Sequence, residues 1–123
     1  MITKAEALYQ FFSRFNIAAY PDTSVPEDAA FPYLTYTASF DSIGNQVSVP
    51  VDLWYRTESE LIPSSKAQEI SDYIGNGGIL VECEGGYIWI TRGSPFCQSM
   101  ANEGDYSIKR KYINIVVEYL TAN

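Results

Sequence analysis

A chain of 123 residues has the length of one domain, 1–123, and can bury a core without disulfide or metal staples. With 46% hydrophobic and 19% charged residues it lies far from disordered compositions, and a net charge of −7 argues against gripping nucleic acid through its phosphates. Histidine is absent, which closes Ser-His and Cys-His nucleophile activation and every imidazole metal site.

The first predicted helix opens on Thr3 and Glu6, a capping-box pair. Leu8, Phe11, Phe12 and Phe15 then form one apolar stripe at helical spacing, more simply core than partner-facing. Residues 16–31 read as a long connection carrying Pro21 and Pro26. Structureless connections beyond about 12–15 residues usually have a job, here ordering against a neighbouring subunit, the alternative being a plain linker. Residues 33–40 read as a strand with Leu34, Tyr36, Ala38 and Phe40 on one face, followed by a Gly44-Asn45 turn. Val47, Val49, Val51, Leu53 and Tyr55 alternate with Ser48, Pro50, Asp52 and Trp54, a second strand that completes an antiparallel hairpin. Pro50 cannot donate to a ladder, so that strand has an edge or a bulge at its beginning.

A second helix is expected over 63–74, capped by Ser65 with Gln68 and stopped by Gly75, Gly77 and Gly78. Residues 79–84 and 87–92 flank Gly85-Gly86 as a hairpin, with Val81 opposite Ile90, Cys83 opposite Ile88 and Glu82 opposite Trp89. That pairing makes Cys83 a core thiol. Residues 93–105 read as a long loop, and residues 108–120 as a final strand with Ile113, Ile115, Val117 and Tyr119 on one face. Lys109, Arg110 and Lys111 at its opening read as solvated or edge-protecting charges. The expected architecture is α+β: two helices packed on one face of a mainly antiparallel sheet, in the order helix, hairpin, helix, hairpin, strand.

No catalytic residue, cofactor or metal ligand is expected, and the chain is read as no enzyme. Cys83 and Cys97 are too few for a structural zinc site and read as free thiols. The carboxylate pairs Glu69 with Asp72 and Glu82 with Glu84 are what an acidic chain scatters by chance. Neither a secretory leader pattern nor a bilayer-length apolar run is present, so cytoplasmic synthesis and no membrane partner are expected. Aromatics reach 15%, ten of them Tyr, which suits either protein contacts or plain β-structure.

Four stretches carry a family resemblance: VDLWYRT at 51–57, KAQEI at 66–70, GYIWITRGSPFCQ at 86–98 and IKRKYINI at 108–115. Over most of its length the chain resembles the tail terminator (tail completion) proteins of tailed phages and prophages of Gram-positive bacteria. Arg92, Gly93, Pro95, Phe96 and Gln98 are the most distinctive part. The resemblance implies a virion structural protein of phage tail terminator-like fold, assembled in the host cytoplasm into the virion tail. Such subunits form a homo-oligomeric ring, usually a hexamer, on the head-proximal end of the tail tube. The ring stops addition of tail tube protein, ends tail assembly and provides the head-tail joining surface for the head connector or neck protein. DNA passes through the lumen without specific binding, and an acidic lining repels its backbone.

Closed rings need heterologous interfaces. The expected interface residues are Trp54, Arg56, Trp89, Arg92, Pro95, Phe96 and Gln98, with the arginines pairing carboxylates and Phe96 anchoring in a neighbour's pocket. Trp54 and Trp89 fall opposite the continuous apolar sets by alternation, leaving them either to a neighbour or to the core. Asp41, Asp52, Glu58 and Glu60 lie near strand ends and are lumen candidates. Three other readings stay open: another head-tail connector or minor tail protein, a small-ligand binding module with an aromatic pocket floor, or an enzyme using carboxylates alone.

Overall fold

The computed structural model describes residues 2–101 and 104–123. Helix α1 (Lys4–Phe12) starts on the expected capping box, the Glu6 amide donating to Thr3 Oγ1 at 3.1 Å and the Thr3 amide to Glu6 Oε1 at 3.2 Å. A 3-10 turn (Ser13–Phe15) continues it, and Leu8, Phe11, Phe12 and Phe15 are all buried. Phe11 meets Phe12 and Phe15 edge-to-face at 5.0 and 5.5 Å, and Phe12 stacks on Tyr36 at 4.5 Å. Helix α2 (Leu61–Ile74) starts two residues before the expected Pro63, with no side-chain cap from Glu60. The Leu61 amide donates instead to Ser59 Oγ at 3.2 Å, while Gln68 turns to Asp72 at 2.8 Å rather than capping with Ser65.

The strands are β1 (Ala18–Pro21), β2 (Tyr33–Tyr36), β3 (Gln46–Arg56), β4 (Ile79–Cys83), β5 (Gly86–Met100) and β6 (Ile108–Thr121). They lie in the order β1-β2-β3-β6-β5-β4, with β1 and β2 parallel and every other pair antiparallel. Pro50 sits just past the end of β2. Its carbonyl accepts from the Thr37 amide at 2.9 Å, so its missing N–H faces this locally open side.

Four expectations about the sheet need correcting. The strand expected over 33–40 is β2 and ends at Tyr36. Residues 18–21, expected within a loop, form β1, and Asp22 ties on by donating its amide to the Tyr36 carbonyl at 2.9 Å and accepting Thr37 Oγ1 at 2.6 Å. Residues 93–100, also expected as loop, continue β5 through an irregularity between Arg92 and Cys97; residues 102 and 103 of that loop lie outside the described residues. The β4–β5 hairpin turns on Glu84 and Gly85, with Cys83 opposite Gly86, so the partners are Val81 with Ile88, Ile79 with Ile90 and Glu82 with Tyr87. A slip of two residues keeps every side chain on its expected face. Cys83 is accordingly buried.

The expected fold class is overturned by these additions. The described residues are 44% strand and 22% helix, a six-stranded sheet curled into a half-barrel with two short helices rather than two helices packed on an antiparallel sheet. Long paired strands accumulate the right-handed twist of neighbouring strands, so β3, β5 and β6 bend the sheet into a trough. Val49, Val51, Leu53, Ile88, Ile113 and Ile115 line its inner side and share one core with the buried residues of both helices.

β6 is central, between β3 and β5, so its basic opening protects no edge. Alternation turns Lys111 inward, where it is 2% exposed and reaches the Glu60 carboxylate and Ser99 Oγ. Tyr119 on the same side donates to the Ser39 carbonyl at 2.5 Å, and burial pushes its phenol pKa well up.

Candidate assembly surface

The outer side of the sheet carries the even-numbered residues of β3 and β6, and one corner of it is aromatic. Register places Trp54 between Tyr33 on β2 and Arg110 on β6. Tyr33 stacks on Trp54 with ring centres 6.3 Å apart and touches Tyr20 at 6.0 Å and Phe31 at 5.3 Å. The Arg110 guanidinium covers the indole face at 5.1 Å while Nε and Nη2 donate to both oxygens of Asp52 at 2.8 and 3.2 Å. Trp54 Nε1 donates to Thr35 Oγ1 at 3.0 Å, which satisfies its one polar atom.

Arg56 closes the corner. Its guanidinium lies over the Phe31 ring at 4.9 Å, donates to Ser107 Oγ at 3.3 Å and pairs with Asp105 at 3.5 Å, both side chains well exposed. Hydrogen bonds from Ser107, then the Arg56 charge, hold the Asp105 carboxyl below the usual carboxylate range. An exposed pair of this kind adds little stability.

Of the seven sequence-selected residues, Trp54 and Arg56 therefore share one corner. Trp89 also lies on the outer side, paired with Glu118 on β6 and Leu80 on β4, its Nε1 donating to the Gly77 carbonyl at 3.0 Å. Arg92 instead turns inward, donating to Ser71 Oγ of α2 at 2.9 Å and to Asn76. The exposed Pro95 accepts from Asn114 at 2.7 Å, and Gln98 is exposed on the outer side opposite Tyr112. Phe96 packs against its own core and lines a cleft of about 380 Å³ between α2 and β5, with Ser64, Ser71, Cys97 and Lys111. The seven thus fall into separate groups rather than one site. Tyr20, Phe31, Tyr33 and Arg110 were missed, although the alternation that placed Trp54 outward also places Arg110.

Asp52 among the lumen candidates is held by Arg110, and Glu60 by Lys111, which lowers the Glu60 pKa. Among the described residues no group of three His, Cys, Asp or Glu side chains is placed to hold a metal, and no helix is long and apolar enough to cross a membrane.

Fold and surface together define a curled, mixed-sheet domain with an aromatic, arginine-capped outer corner. The same fold occurs in a chain of the virion of the native gene transfer agent (GTA) particle, with a TM-score of 0.63 at 14% identity over 94% of this chain and 93% of that one. A second solved chain, which carries no functional description, matches with a TM-score of 0.62 at 13% identity over 97% and 94%. No protein-family model and no curated protein sequence matches.

Proposed function

We propose that this chain is a non-catalytic virion structural protein, a tail terminator subunit that closes into a ring with copies of itself, a hexamer in the simplest form. The ring caps the tail tube, stops its polymerisation and presents the joining surface for the head connector, and DNA crosses its lumen without specific contacts. The observation that supports a virion structural protein is the near end-to-end fold likeness to a chain of the GTA virion particle, and the terminator role rests on the family resemblance centred on residues 86–98. The outer aromatic corner supports it, since Tyr, Trp and Arg are the side chains that dominate protein interfaces.

Immunogold labelling of purified particles tests the placement. Label confined to the junction of head and tail is expected; label along the tube, at the distal tip, or absent from particles overturns it.

A further inference from the structure

The outer side of the sheet carries a second apolar patch at the corner diagonal to Trp54. Register brings Leu80 of β4 beside Trp89 and Tyr87 of β5, with Leu120 of β6 opposite Tyr87. Leu80 is 61% exposed and Tyr87 47%, although both stand on paired strands. The charged side chains in this patch are carboxylates: Glu82 pairs across to Tyr87, and Glu118 pairs across to Trp89. Neither takes part in an ion pair among the described residues.

The two corners are complementary. The Trp54 corner ends in Arg56 and Arg110, each paired with one aspartate of its own chain (Asp105 and Asp52) yet lying over a ring and using only part of its five N–H donors. The Trp89 corner offers carboxylates beside exposed apolar area. From Arg110 to Glu118 along β6 is roughly 26 Å at about 3.3 Å per residue. The corners also sit toward opposite edges of a half-barrel, so their outward faces diverge. One subunit cannot bring them together, and like corners do not match each other.

We propose that the arginine-aromatic corner around Trp54 docks on the acidic-apolar corner around Trp89 of a second copy of this chain, head to tail. This rests on the ring reading above and gives it an interface. Arg56 and Arg110 meet Glu82 and Glu118, and Trp54 with Tyr33 covers Leu80 and Tyr87. A contact between unlike patches propagates from copy to copy and closes only as a ring. Charge complementarity sets the register and makes association fall with salt.

Two exposed charge reversals test it, Arg56→Glu and Glu82→Arg, with circular dichroism confirming the fold of each. By sedimentation, each alone is expected to self-associate roughly tenfold or more weakly than wild type. Mixed together they should regain self-association beyond the dimer, because the two unaltered corners match each other and the two reversed corners carry swapped, still opposite, charges. Unaltered self-association of both variants, or a mixture that stays monomeric, overturns the docking. Loss of binding to purified tail tube protein with self-association intact assigns the corners to that partner and also overturns it. None of these results bears on where the protein sits in the particle, so failure here and failure of the terminator reading are separately visible. A wild-type chain that stays monomeric both alone and on tail tubes overturns the docking and the ring together.

Discussion

The Lys111 ammonium, buried under α2, donates to the carboxylate of Glu60, the residue that precedes the first turn of that helix. Ser99 Oγ accepts a second proton from Lys111 at 2.5 Å. The two partners are not equivalent: the lysine is inside, while the Glu60 side chain is 56% exposed. Removing the buried charge and removing its exposed partner therefore have different costs.

Glu60→Gln leaves a buried ammonium without its counter-charge and should destabilise by about 1–3 kcal/mol. Lys111→Met removes the buried charge and leaves Glu60 to water, and should fall within about 1 kcal/mol of wild type. Hydrogen bonding to Lys111 holds the folded Glu60 pKa below its ordinary value of 4.5. Its contribution is thus fully present above that pH and is lost as pH falls through the lower folded value. Urea denaturation at neutral and acidic pH checks both points. Equal stability of the two variants, or a wild-type advantage over Glu60→Gln that does not narrow on acidification, contradicts the pairing.

Gly86 has φ +152°, and a Cβ built there runs into the Leu120 carbonyl oxygen on β6. Gly86→Ala should cost about 1–3 kcal/mol from backbone strain, with the overlap adding to it. Gly77, with nothing within 4 Å of its would-be Cβ, is the control, and Gly77→Ala should stay within about 0.5 kcal/mol. Thermal melts of the pair decide it; similar melting temperatures contradict the close approach of β5 and β6.

Phe96 packs on its own core rather than standing clear of it. Phe96→Ala should cost about 1–3 kcal/mol, less than the about 3–5 of a fully buried Phe. A denaturation midpoint unchanged from wild type contradicts this packing and returns Phe96 to a role as an interface anchor.

Most local signals in the sequence carried, although the Ser65–Gln68 cap did not form and the β4–β5 turn fell one residue earlier than Gly85-Gly86. The Thr3–Glu6 box, the Phe11–Phe15 stripe and the alternation of β3 and β6 each depend on neighbours within a few residues, and each formed as expected. The non-local parts did not carry. Ala18–Pro21 is too short and too weakly patterned to announce a strand, and it exists by parallel pairing to β2 across an 11-residue connection. β5 extends past Arg92 because β6 offers a long partner, which Ser94 and Pro95 conceal. The same holds at the surface. Alternation put Trp54 and Trp89 opposite the continuous apolar sets but left neighbour or core open, and the Arg110–Asp52 pair joins residues 58 positions apart and needed the β3–β6 register.

A subunit proposed to cap the tail tube sets tail length, and deleting its gene removes that stop. Electron micrographs of lysates lacking the gene should show tails of uncontrolled length with no heads joined, restored to uniform headed particles when the wild-type gene is returned. Tails of normal length carrying heads in the deletion strain would contradict the account.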